Sequence, residues 1–285
     1  MNCGVLIFAH NSRDVDYALM SIVAGGLATK HLKVPVSLVS DQSTIDWLKE
    51  ANRYSQAERL FDQIIIVDRP NTDNIRRLND GTESKTVPFI NANRASAWDL
   101  TPYDRTLLID SDYLIFSSTL SEYWNHNSSF MISSAMNDLR GDRKSILDSW
   151  VSTEGIPLYW ATTIMFTKNQ ESKLYFDLVK SVKENYQTYA EIYRFDSRIF
   201  RNDIAFSIAK HIIEGFVTTQ TQNLPPILTA QDKDLIAVVC KSGLTMLIQD
   251  TLSANMILGN FSKRDIHVMN KQAIVRSAND LLEML

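Results

Sequence analysis

Residues 103–124 read YDRTLLIDSDYLIFSSTLSEYW. The run at 106–109 is apolar and unbroken, as expected of a strand buried on both faces. It passes directly into Asp110-Ser111-Asp112 and then into a second short apolar stretch. Two carboxylates that close a buried strand face one side of the sheet edge. There their hard oxygen atoms suit Mg2+ or Mn2+, with diphosphate oxygens completing the shell. The same spacing recurs at Asp14/Asp16 and Asp232/Asp234, and context separates the three pairs. Asp14 and Asp16 open a predicted helix, where carboxylates complement the dipole. Asp232 and Asp234 flank a surface lysine, Lys233, ahead of a strand.

Working outward, short apolar runs alternate with helical patterns. Residues 3–9 read as a buried strand, and 34–39 and 63–67 as two further strands, closed by the polar residues His10-Asn11, Asp41 and Asp68. Residues 14–27 have apolar residues at helical spacing, with Gly25-Gly26 as a stop, and Ser43 can cap a helix over 44–54. This β-α-β-α-β order predicts an α/β fold with a mixed, mostly parallel sheet. The ligand crevice should lie at the carboxyl ends of the strands, with Asn11 and Asp41 lining a base and ribose pocket. Residues 91–98 read as a helix. Further on, 129–132, 162–166, 234–240 and 266–268 read as strands and 171–186 as an amphipathic helix. Asn202-Asp203 can cap a helix over 204–213 that stops at Gly215, and a last helix covers 272–284.

Composition sets the bounds. A chain of 285 residues suits one large domain or two merged halves. Hydrophobic residues at 45% and charged residues at 22% exclude a disordered chain. A net charge of −4 excludes a basic field over the whole surface. Cys3 and Cys240 are too few for a disulfide scaffold, form no C-x-x-C zinc pair, and fit a reducing compartment. With no leader pattern and no apolar run near the roughly 20 residues of a membrane helix, a cytoplasmic protein is expected.

The stretch 103–124 resembles the GT-A fold glycosyltransferases, especially the retaining, glycogenin-like group. There an apolar strand runs into Asp-x-Asp, then a short strand, then a small-polar turn and a helix. The resemblance spans Cys3 to Lys271. It implies a Rossmann-like nucleotide-sugar half over 1–116 and an acceptor-binding half over 117–230. A C-terminal segment, 231–285, returns to the metal and diphosphate. Asp110 and Asp112 would hold the metal on the diphosphate of a nucleotide-sugar donor, UDP-linked for preference. The late stretch DIHVMNK at 265–271 matches the family's closing histidine and lysine. His267 is then the third metal ligand, which favours Mn2+ over Mg2+, and Lys271 offsets charge on the departing diphosphate. Arg94, with Lys85 before it, matches a basic residue that reaches the diphosphate or orders the loop. His10, Asn11, Asp41 and Ser111 fall at donor-binding positions, as do Thr162 and Thr163. The segment Ala161-Thr162-Thr163 departs from the family's Asn-x-Gly and leaves the sugar open. Trp160 reads either as a stacking surface or as a core residue. Asp203 matches an acidic or amide residue near the acceptor and the reacting carbon. The segments around Asp203 also resemble phage-encoded transferases.

The activity implied is transfer of a sugar to an acceptor hydroxyl, in the host cytoplasm if the enzyme is phage-encoded. A nucleotidyltransferase shares Asp-x-Asp and the sheet but usually carries a Gly-rich phosphate loop, where residues 9–14 here read AHNSRD. A non-catalytic binding module ranks last, because all candidate ligands are present. For the acceptor, Arg140, Arg143 and Lys144 form one basic group and Arg194, Arg198 and Arg201 another, and either suits phosphates. On that basis a hydroxymethylated base in phage DNA, flipped or single-stranded, is narrowly preferred to a glycan or a protein. Asp112→Asn is expected to cut turnover by orders of magnitude and leave folding nearly unchanged.

Overall fold

The computed structural model describes residues 1–69, 74–80, 83–91, 93–141, 143, 145, 148–153, 155–217, 222–250 and 255–285. The chain begins with β1 Cys3–Phe8, α1 Tyr17–Leu32, β2 Val36–Asp41, α2 Gln42–Glu50, α3 Tyr54–Leu60 and β3 Gln63–Val67. A hairpin follows, β4 Ile75–Asp80 and β5 Glu83–Pro88, then α4 Ala97–Leu100, β6 Arg105–Ile109 and β7 Tyr113–Leu114. The middle holds β8 Phe130–Ser133, β9 Met136–Asp138, β10 Trp160–Thr167, α5 Gln170–Glu184, α6 Tyr186–Tyr193 and α7 Asn202–Ile213. The last part holds β11 Ile227–Ala230, β12 Leu235–Cys240, β13 Gly243–Gln249, β14 Met256–Ser262, β15 Ile266–Val268, α8 Lys271–Arg276 and α9 Ala278–Glu283.

The architecture is mixed α/β around a mostly parallel central sheet, ordered β3-β2-β1-β6-β10-β8. β3, β2, β1 and β6 run parallel, and β10 pairs antiparallel with both β6 and β8. Val5, Leu6, Ile7, Leu107, Leu108 and Ile109 are all 0% exposed, which is why these strands read as unbroken apolar runs. β1 and β2 are interior and parallel, as the crevice rule requires. A second sheet, ordered β7-β15-β11-β9, stands beside the first. β12, β13 and β14 form an antiparallel meander. Among the described residues, no helix is long and apolar enough to cross a membrane.

Several local expectations are corrected. α1 runs through Gly25-Gly26 to Leu32, because those glycines serve packing. A Cβ on Gly25 would lie 2.9 Å from Phe61, and one on Gly26 would fall on Leu285. The helix expected over 44–54 is two helices separated by Asn52 at φ 54°. The first is capped by the Asp41 carboxylate, which accepts from Thr44 N, and not by Ser43. The helix expected over 171–186 starts one residue earlier behind the Asn169 cap, ends at Glu184 and gives way to α6. The stretch 91–98 yields only a 3-10 turn at Arg94–Ser96 before α4, and Ala92 lies outside the described residues. The final helix is split into α8 and α9. α7 begins without a side-chain cap, and Asp203 is directed elsewhere. Asp234 does not flank a surface lysine from solvent: it is 0% exposed and bound to Arg143.

Candidate metal and nucleotide site

The site forms where β6 ends. After Ile109 the chain turns through Asp110-Ser111-Asp112 and enters β7, which leaves the central sheet for the second one. β7 pairs antiparallel with β15 in a register that sets Tyr113 opposite His267. Val268 N donates to Asp112 O at 2.9 Å and ties that register to the turn. A histidine from late in the chain is thereby seated against the carboxylate pair. One ligand atom from each of Asp110, Asp112 and His267 lies within 4.8 Å of the others.

The charges around this trio are balanced. Arg94 donates to Asp110 Oδ1 and to the carbonyl of Ala161. Lys271, the first residue of α8, donates to Asp112 Oδ2 and, at 3.2 Å, to Met269 O. His267 Nε2 lies 3.4 Å from Asp112 Oδ1, while its Nδ1 is buried without a partner. Burial raises the Asp110 carboxyl above its usual range, with Arg94 opposing the shift and the Asp112 charge adding to it. Burial pushes Asp112 the same way, but Lys271 and His267 outweigh it and hold its carboxyl well below the usual range.

The trio faces a cavity of about 370 Å3. Of the residues expected at the site, Arg94, Ser111, Thr162, Asp203 and Lys271 line it together with the trio. Asp203 is fixed from both sides, accepting from Ala161 N at 2.8 Å and from Arg201 at 3.2 Å. That explains why it does not cap α7.

Five expected residues are absent from the cavity lining. His10 is 0% exposed, with Nδ1 3.0 Å from Asp41 Oδ2. Burial lowers its pKa, and the Asp41 charge opposes that shift. Asp41 also accepts from Ser43, Thr44 N and Arg69, and lines a separate shallow depression beside β3. Asn11 caps the start of α1, accepting from Ala18 N at 2.7 Å. Lys85 pairs with Asp14 at 2.6 Å on the surface. Thr163 points to Ser133 across the sheet. In each case the polar group is committed to a cap or a neighbouring pair.

Most arginines of the two basic groups lie beside carboxylates. Arg143 is clamped between Asp138 and Asp234, each at 2.7 Å, and Arg140 pairs with Asp250. Arg198 pairs with Asp196 at 2.5 Å and Arg201 with Asp203. Arg194 occupies the left-handed C-cap of α6, and Lys144 lies outside the described residues.

The sequence reading missed Arg76, Tyr17, Phe89, Asn91 and Asn202, which also line the cavity. Arg76 comes from the β4–β5 hairpin. It donates to the Tyr17 hydroxyl at 3.3 Å, sits 5.3 Å over the Phe89 ring and has a buried Nε without a partner. The Asn202 side-chain oxygen is likewise buried and unpartnered. Arg76 carries no sequence signal, because Ile75-Arg76-Arg77 reads as an ordinary solvated stretch. Asn202 had been read only as a cap.

No protein-family model matches this sequence, and no curated protein matches it. Among solved structures, the chain is similar to the galactosyltransferase LgtC in complex with donor and acceptor sugar analogs. Identity is 14% and the TM-score 0.46, over 73% of this chain and 70% of that one. It is similar to the glycosyltransferase GlyE of Streptococcus pneumoniae TIGR4 at 11% identity and TM-score 0.41, over 74% of this chain and 42% of that one. It is also similar to the mannosyltransferase PcManGT of Pyrobaculum calidifontis, solved with GDP-Man and Mn2+. There identity is 14% and the TM-score 0.38, over 74% and 51%. These overlaps are partial and the identities low; what the site can do follows from its own geometry.

Proposed function

We propose that this chain is a metal-dependent glycosyltransferase of the GT-A type. It would move a sugar from a nucleoside diphosphate donor, UDP-linked for preference, to an acceptor hydroxyl. One observation carries the reading. Asp110, Asp112 and His267 converge at the carboxyl end of β6, in a cavity whose walls also hold Arg76, Arg94 and Lys271. Two carboxylates and an imidazole fit a divalent ion of hard to borderline character, and the nitrogen ligand ranks Mn2+ ahead of Mg2+. His267 turns Nε2 toward Asp112, at 3.4 Å, so that nitrogen would be the one offered to the ion.

A bound ion would supply Lewis-acid charge to the diphosphate oxygens. The chain's own residues would do the rest. Lys271 and Arg76 would bind the diphosphate and offset the charge that builds as the anomeric carbon–oxygen bond breaks. Arg94, held by the Ala161 carbonyl, would keep Asp110 in place. Ser111 and Thr162 would contact the donor, and Asp203 would stand beside the reacting carbon. In this reading residues 1–116 bind the donor, 117–230 form the opposite wall, and 231–285 bring back His267 and Lys271.

The test is a donor screen. The protein is incubated with UDP-, GDP- and dTDP-sugars and Mn2+, and free nucleoside diphosphate is measured. Release that disappears with chelator supports the reading. Undiminished release after chelation sinks it, and pyrophosphate release from a nucleoside triphosphate plus a sugar phosphate would point to nucleotidyl transfer instead.

A further inference from the structure

A second cavity, of about 620 Å3, lies next to the first. Asp148, Trp160 and Met269 line both, so the two spaces share a wall. Trp160 anchors that wall. Its ring centroid is 6.4 Å from that of His267, and its Nε1 donates to Asp148 O at 3.0 Å. A molecule in the second cavity therefore sits one indole away from the carboxylate–histidine trio.

The lining chemistry is specific. Asn79, Gln231 and Gln249 are amides, each able to donate and accept. Asn79 Nδ2 donates to Asp232 Oδ2 at 2.8 Å, which leaves the Asn79 carbonyl oxygen and the other carboxylate oxygen of Asp232 for a ligand. Asp148 accepts from Ser145 N through one carboxylate oxygen, and the Gln249 side chain makes no hydrogen bond among the described residues. Two cations line the cavity, Arg143 and Lys233. Lys233 is exposed. Arg143 is already held by Asp138 and Asp234, both with fully buried side chains. The acid Asp250, on the same wall, pairs with Arg140.

We infer that this second cavity binds the acceptor, and that the acceptor is an uncharged, polyhydroxylated molecule, a neutral glycan, rather than a nucleic acid. Carboxylates and amides around one aromatic side chain accept and donate to hydroxyls, and an apolar surface with a few convergent polar groups is the usual make-up of such a site. Among the described residues, phosphates entering here would meet Asp148 and Asp232, with Arg143 already neutralised and Lys233 alone left to offset them, and like charges across an interface oppose binding. The inference rests on the transfer reaction proposed above.

The test measures acceptor binding without donor. Saturation-transfer NMR is recorded with lactose, maltotriose and N,N′-diacetylchitobiose, and separately with a DNA dodecamer containing 5-hydroxymethylcytosine. At least one neutral glycan is expected to bind and the DNA to give no signal. Asp232→Asn and Gln249→Ala, each checked for an unchanged melting curve, should weaken glycan binding by about tenfold, the size of one lost hydrogen bond to a charged group. DNA binding in place of glycan binding, no binding by any of the three glycans at millimolar concentration, or glycan binding that both variants leave intact would each overturn the inference. If a glycan binds while nucleoside diphosphate with Mn2+ gives no thermal shift, the glycan site stands and the transfer reaction falls.

Discussion

At the residue scale, Asp112 shows how a role and an environment can be legible to different degrees. Its place in Asp-Ser-Asp after a buried strand marked it as a ligand. Its burial was not marked, and that changes what a substitution should do. Asp112 is 5% exposed and faces Lys271 at 2%. Asp112→Asn strands a buried ammonium, so the variant should lose about 3 kcal/mol of stability as well as turnover. The burial of the pair argues against a nearly unchanged fold. Urea denaturation checks this: an unaltered midpoint would mean that Lys271 finds another partner. Asp265 makes a separate prediction. It accepts from Phe116 N and Ser117 N, and burial raises its carboxyl to about 6. The folded state therefore holds a proton between about pH 4 and 6 that the unfolded state has released. This group's contribution to stability falls as pH rises through that window, by at most about 3 kcal/mol. Asp265→Asn keeps an oxygen for both backbone donors and removes the charge. Its melting temperature should drop less between pH 5 and 7 than that of the unaltered protein. Equal drops would exclude Asp265 as the source.

At the element scale, legibility followed burial. β1 and β6 were readable because strands covered on both faces leave unbroken apolar runs, and β3, the half-exposed edge strand, was readable from its run of three isoleucines. The β4–β5 hairpin was unreadable: most of its residues are exposed or half-buried, and its two cavity-lining arginines, Arg76 and Arg77, look like any surface arginine. β13 and β14 were missed for the related reason that a half-exposed meander mixes polar and apolar residues. Glycine misled in α1, where contact with Phe61 and Leu285, and not chain termination, accounts for Gly25-Gly26. Gly4 in β1 presents the same situation more sharply. A Cβ there would land on the ring of Tyr103, which is 1% exposed and bonded to Ser37 at 2.6 Å. Gly4→Ala should therefore destabilise by about 1–3 kcal/mol through overpacking, seen as a lower urea midpoint with an unchanged slope. No shift in that midpoint would mean that the ring can move aside.

At the scale of the whole molecule, the cavity around Asp110, Asp112 and His267 draws its walls from β1, the β4–β5 hairpin, the β6–β7 turn, β10, α7 and α8. A ligand that spans it should stabilise the entire fold by mass action. At a hundred times its dissociation constant, UDP with Mn2+ should add about 2.7 kcal/mol, a rise of roughly 4–5 °C in melting temperature for a chain of this size. UDP with chelator should give much less. Equal shifts with and without the ion would argue against a joint site. The pairing of β7 with β15 has one more consequence, which concerns synthesis. Domains tend to form from the N-terminus as the chain emerges, and β1, β2, β3 and β6 are all translated before residue 110. The parallel core can therefore assemble on the ribosome while His267 is still unmade. On that order the carboxylates would precede their imidazole, and under the proposed function any competence to hold an ion would be acquired late.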